Sequence, residues 1–104
     1  MEIQERIRKV IDENSGMLFM KGSPDFPQCG FSGRVVQILE ACDAEYGSAD
    51  VLKDSDLRQG IKAYSNWPTI PQLYIHGELI GGCDIVMEMH ENGELKKKID
   101  SLDR

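Results

Sequence analysis

Cys29-Gly30-Phe31-Ser32 has the spacing of a thiol redox motif, with serine where a second cysteine would stand. In a C-x-x-C pair the first thiolate attacks a disulfide and the second resolves the mixed intermediate. Ser32 cannot do the second job. The chain therefore keeps one reactive sulfur in the motif and must obtain any second sulfur elsewhere. Two chemistries fit: glutathione as the second thiol, or a metal cluster shared between molecules. If a helix begins at Gly30, Cys29 sits at its N-terminus, where unpaired backbone N–H groups and the positive end of the dipole favour the thiolate. Pro27 and Gly30 suit a tight entry to that helix. The polar, proline-containing loop before it does not suit a buried structural cysteine.

Other residues could serve this sulfur. Lys21 ends an apolar run and lies beside the Cys29 loop, where a cation stabilises a thiolate or binds a carboxylate. Arg58 could grip a carboxylate with its planar fork; Lys21 could equally be solvated, and Arg58 taken alone reads first as a solvated helix residue. Pro71, after Thr69-Ile70, could be the cis-proline that exposes backbone groups to a peptide-like ligand, since cis bonds are essentially confined to proline. In Gly81-Gly82-Cys83-Asp84, Asp84 suits the N-cap of a following helix. The same helix start could bind a ligand carboxylate while Asp84 accepts from a ligand ammonium. Cys83 reads as a small residue in a crowded turn, with a second redox thiol as the alternative. Cys42 falls on an apolar helix face and reads as core.

Composition narrows the field. The chain has 104 residues, enough for one domain with its own core. A net charge of −6 argues against nucleic acid, which needs clustered Lys and Arg. Lys96-Lys97-Lys98 reads as a solvated helix face. No apolar run approaches the ~18 residues that cross a bilayer, so no membrane role is expected. The polar N-terminus reads as the start of a helix rather than a signal or transit peptide. Three cysteines without short pairing suit a reducing compartment. The expected location is the cytoplasm, or the mitochondrial matrix if a transit peptide has been removed. Zinc is not expected, because no two Cys or His have finger or ribbon spacing.

The remaining pattern supplies the elements. Ile3, Ile7, Val10 and Ile11 make one helix face, stopped at Asn14-Ser15-Gly16. Met17 to Met20 is a strand buried on both faces, Lys21 to Gln28 a loop, and the segment after Cys29 a helix. Glu45 to Leu52 is a weaker strand. Ser55 to Tyr64 is a helix with Ser55 as N-cap. Trp67 to Pro71 is a constrained loop. Gln72–Ile75 and Glu78–Ile80 form a hairpin through His76-Gly77. Ile85 to His90 starts another helix, Asn92-Gly93 breaks it, and Glu94 to Leu102 makes the last. A βαβ unit followed by a ββα unit implies an α/β domain over residues 1–104. Its central four-stranded mixed sheet is flanked by helices on both faces.

Taken together, Lys21-Gly22, Cys29-Gly30-Phe31-Ser32, Trp67-Pro68-Thr69-Ile70-Pro71-Gln72 and Gly81-Gly82-Cys83-Asp84 resemble the monothiol glutaredoxins of the Cys-Gly-Phe-Ser class, single-domain type. The likeness runs from about Ile3 to Leu102. One departure is Ser48-Ala49, where members often carry a larger residue. The resemblance implies a thioredoxin-like fold and glutathione as cofactor. It implies that Cys29 ligates iron, that Lys21 and Arg58 meet the glycine carboxylate of glutathione, and that Ile70 and cis-Pro71 pair with its cysteinyl backbone. It places the γ-glutamyl end on the Cys83 backbone and Asp84. A [2Fe–2S] cluster usually takes four thiolates, so two Cys29 sulfurs and two glutathiones would bridge a homodimer. The expected function is cluster delivery to apo-proteins, with BolA-like proteins as further partners. The rival is a glutathione-dependent oxidoreductase that works through Cys29 alone.

Overall fold

The computed structural model describes residues 2–103. Its centre is the run Gly16–Met20, here β1, every residue of which is buried. Such a strand can only sit inside a sheet covered on both faces. Its side chains alternate between the two cores. Met17 and Phe19 join Ile7, Ile11, Leu57, Ile61 and Tyr74 on one face, while Leu18 and Met20 join Val35, Leu39, Leu73, Val86, Leu95 and Ile99 on the other. Full burial of each large side chain contributes about 1.5–3 kcal/mol.

Helix α1 (Ile3–Glu13) precedes β1, and α2 (Gly30–Ala41) carries the chain to β2 (Gly47–Asp50). Next come α3 (Ser55–Ser65), β3 (Gln72–Ile75), β4 (Glu78–Gly81), α4 (Cys83–Glu91), α5 (Glu94–Asp100) and a final 3₁₀ turn, Ser101–Asp103. The sheet order is β2-β1-β3-β4. β2 runs parallel to β1, with Met17 opposite Gly47, and β3 is antiparallel to it, with Leu18 opposite Leu73. The expected four-stranded mixed sheet is therefore present. Helices α1 and α3 cover one face, and α2, α4 and α5 the other. His76 and Gly77 close the hairpin with φ of 51° and 81°, the left-handed pair that a two-residue turn requires. Ser48 and Ala49 do not disturb β2; it is an edge strand, with Ser48 exposed and Ala49 packed on the α1–α3 core.

Several local expectations shift. The N-cap of α3 is Asp54, not Ser55: its carboxylate accepts from Leu57 N–H at 3.1 Å and also meets Arg6 at 2.8 Å. Helix α4 starts at Cys83 with Gly82 as its cap, so Asp84 lies exposed in the first turn and does not cap it. The second strand is shorter than Glu45–Leu52. The last helix yields to a 3₁₀ turn at Ser101, whose hydroxyl bonds back to the carbonyl of Lys98.

Candidate functional site

Cys29 is the N-cap residue of α2, half-buried, with extended backbone (φ −149°, ψ 136°). Its carbonyl accepts the first helical bond, from Gly33 N–H at 2.9 Å, and the Phe31 and Ser32 amides, which precede Gly33, serve the sulfur instead. The thiol pKa is lowered, chiefly by the Ser32 backbone N–H, against a desolvation penalty. The Phe31 N–H, the Ser32 hydroxyl and the charge of Lys21 add to the lowering, in that order. The helix start therefore outweighs the lysine.

Ser32 is fully buried, and its Oγ accepts from Lys21 N–H at 3.1 Å. The residue in the place of a second thiol thus fastens the end of β1 to the start of α2. The 21–28 loop is also more ordered than its composition implies. Gly22 bridges to Pro27, Gln28 N–H donates to Lys21 carbonyl at 2.9 Å, and Gly22 N–H donates to Asp50 Oδ1 at 2.9 Å. Gly22 has φ 92°, and a Cβ there would lie 2.5 Å from Phe26 carbonyl oxygen, so only glycine fits.

Two cavities lie along the Thr69–Ile70 segment, and Cys29 lines the first of them. One, of about 270 Å³, is lined by Lys21, Cys29, Lys62, Pro68, Thr69 and Ile70 among others. Lys62 was not singled out by the sequence reading. It lies four residues after Arg58 on α3, the spacing that puts two side chains on one helix face, and that was the available signal. Arg58 itself is exposed, one turn earlier, and is not among the lining residues. The other cavity, of about 190 Å³, is lined by Phe31, Trp67, Pro71, Gly82, Cys83 and Asp84 among others. The Ile70–Pro71 peptide bond is cis. Lys21, Ile70, Pro71, Cys83 and Asp84 thus come together around Cys29 from three separate segments.

The far cavity has free valence. Trp67 Nε1 is buried without a hydrogen-bond partner, the one such side-chain atom among the described residues. A Cβ on Gly82 would come within 3.3 Å of Pro71 carbonyl oxygen and 3.4 Å of that indole nitrogen, so glycine keeps the cradle open. Amides at the start of α4 have no intrahelical acceptor. These features suit a ligand with a carboxylate at each end and a peptide-like middle. The site has no metal cage of its own: among the described residues no group of three His, Cys, Asp or Glu side chains could hold an ion. Cys83 and Cys29 line one cleft with Arg34 and Met87, but burial pushes the Cys83 thiol up, and its Sγ sits 3.8 Å from Met87 Sδ. Cys42 is core as expected, its Sγ 3.7 Å from His90 Nδ1.

A glutaredoxin family model matches residues 17–80, which take in most or all of every strand of the sheet and the whole of the Cys29 helix. The chain belongs to the monothiol glutaredoxin family. It is 51% identical to glutaredoxin 4 of Pasteurella multocida over 96 residues, covering 92% of this chain and 88% of the relative. A monothiol glutaredoxin of Arabidopsis thaliana is 56% identical over 94 residues, 90% of this chain but only 19% of that much longer protein. Among solved structures, reduced poplar apo GrxS14 superposes with a TM-score of 0.84 at 47% identity, covering 98% of this glutaredoxin and 97% of that chain. A buckwheat glutaredoxin–glutathione complex gives 0.85 at 25% identity, covering 97% and 90%. The thioredoxin-like fold of the family is therefore the fold of this chain.

Proposed function

We propose that this monothiol glutaredoxin carries a [2Fe–2S] cluster between two copies of itself and delivers it to apo-proteins. The observation that carries the reading is Cys29: an activated, accessible sulfur whose motif partner, Ser32, is buried and engaged in backbone bonding. One thiolate per chain cannot complete the usual four. Glutathione suits the remaining positions. Lys21 and Lys62 would meet its glycine carboxylate, with Arg58 within reach along the same helix face. The backbone at Ile70 and Pro71 would pair with its cysteinyl unit. The amides of Cys83 and Asp84 would take the γ-glutamyl carboxylate, with the Asp84 carboxylate on the ammonium. The cluster is cargo, and half of its ligands would be exchangeable small molecules, which favours release to apo iron–sulfur proteins or sharing with BolA-like partners.

The test is protein purified without oxygen in the presence of glutathione. The parent should show iron-linked visible absorbance, Cys29→Ser should lose it, and Cys42→Ser and Cys83→Ser should keep most of it. A Cys29→Ser protein with full cluster content would end this reading.

A second reading is favoured by the same lowered thiol pKa. Cys29 thiolate attacks the glutathione sulfur of a mixed disulfide, releasing the client thiolate. A second glutathione then regenerates Cys29 and leaves as oxidised glutathione. Efficient turnover by cluster-free protein would favour it.

A further inference from the structure

Gln72 opens β3, and its side chain is completely shielded from solvent. A buried amide is costly unless its hydrogen bonds are made. Here they are: Nε2 donates to the carbonyls of Trp67 at 3.2 Å and Thr69 at 3.1 Å, and Oε1 accepts from the Tyr74 hydroxyl at 3.1 Å. Both N–H groups of the amide can thus be spent on one short segment. Tyr74 is 2% exposed and is held edge-on by Phe19 and Tyr64, with ring centroids 5.7 Å and 6.3 Å away. The anchor behind Gln72 is therefore rigid.

The segment it holds has little else. Among the described residues, the backbone groups of Pro68, Thr69 and Ile70 make no hydrogen bond to other backbone groups. Yet these residues form the wall between the two cavities: Thr69 and Ile70 line both, with Lys21 and Cys29 on one side and Cys83 and Asp84 on the other. We propose that Gln72 is a positioning residue for ligand binding. It touches no ligand, but its amide sets the place of the Trp67–Ile70 wall and hence the spacing between the two ends of the cleft. The inference rests on the reading that the cleft takes glutathione.

Gln72→Met keeps the length and bulk of the side chain but leaves two carbonyls without a donor. Tyr74→Phe removes only the hydroxyl that orients the amide. Calorimetry with reduced glutathione on cluster-free protein should show affinity falling about tenfold for Gln72→Met and about threefold for Tyr74→Phe. The alkylation rate of Cys29 should stay within about twofold of the parent, because its activating amides lie on α2. Trp67 is the single tryptophan, so its emission reports on the tied segment directly. Gln72→Met should shift that emission and speed exchange of the Trp67, Thr69 and Ile70 amides, with or without ligand. A purely structural role would lower the melting temperature while leaving glutathione affinity of the folded variant unchanged, and that result would overturn the proposal. So would unchanged emission and exchange. If Gln72→Met does not fold, Tyr74→Phe decides: parental affinity in that variant overturns the proposal. A parent protein that fails to bind glutathione would instead overturn the functional reading, while emission and exchange would still report whether Gln72 holds the wall.

Discussion

Cys29 draws its reactivity more from the turn it begins than from the cation beside it. The Ser32 amide leads the causes that lower its pKa, and Lys21 comes last. Ser32→Ala keeps that amide and removes only the hydroxyl, which still ranks above Lys21, so it should raise the midpoint of alkylation rate against pH modestly, whereas Lys21→Ala should move it less still and act mainly on glutathione binding. Iodoacetamide rates across pH measure both; an equal or larger shift in Lys21→Ala would reverse the ranking. The sign is that of a depressed acid. The thiolate helps the fold above the unfolded-state pKa, and the help fades as pH falls through the lower folded value. At this scale the sequence was partly legible. Cys29 announces itself by its neighbours in the chain. Lys62 and Gln72 do not, because each matters through residues that only the fold brings near. Gln72 reads as the first residue of a strand, and nothing in the chain shows that its side chain faces the Trp67 and Thr69 carbonyls.

Elements were easier to read where burial imposes a period. β1 and β3 are unbroken apolar runs or nearly so, and both lie where their composition puts them. Helix starts were harder, because neighbouring residues compete for one capping position. Asp54 and Ser55 are both good caps, and Arg6 from α1 is what favours the carboxylate. The 21–28 loop shows why proline and glycine alone cannot define disorder. Its bridge needs a left-handed residue at Gly22 and a distant acceptor, Asp50. Gly22→Ala should cost about 1–3 kcal/mol, through strain and the displaced strand-to-loop bond. Urea unfolding would measure this, and a variant as stable as the parent would show that the loop can refold around the methyl group. Because Lys21 and Cys29 lie at the two ends of this bridge, the same variant should also bind glutathione more weakly.

For the molecule as a whole, the sheet buries a phenol whose ionisation is linked to folding. Desolvation pushes the Tyr74 pKa from 10.0 up to about 12, with the Ser65 hydroxyl partly offsetting it. The neutral phenol contributes its full stability below pH 10, and the contribution is lost as pH rises through the folded value. Two units correspond to about 3 kcal/mol. Unfolding midpoints between pH 9 and 12 should fall more steeply for the parent than for Tyr74→Phe; parallel curves would count against this coupling. Assembly gives the last prediction. Holo-protein should be a dimer with one cluster, two chains and two glutathiones, and removal of glutathione should release iron and separate the chains together. Light scattering with iron and thiol assays on one sample would decide, and a cluster that survives exhaustive glutathione removal would demand another ligand. The basic residues about the cleft bear on this encounter. Lys21, Lys62 and Arg34 all border the reactive sulfur, in a chain whose net charge is −6. In the proposed dimer two bare copies would bring these cations face to face, with Asp84 the acidic residue beside them. Glutathione brings two carboxylates for one ammonium, so each bound molecule turns that mutual repulsion down. In the proposed dimer the tripeptide would then be an electrostatic spacer as well as a sulfur donor, and added salt should help bare chains approach more than it helps loaded ones.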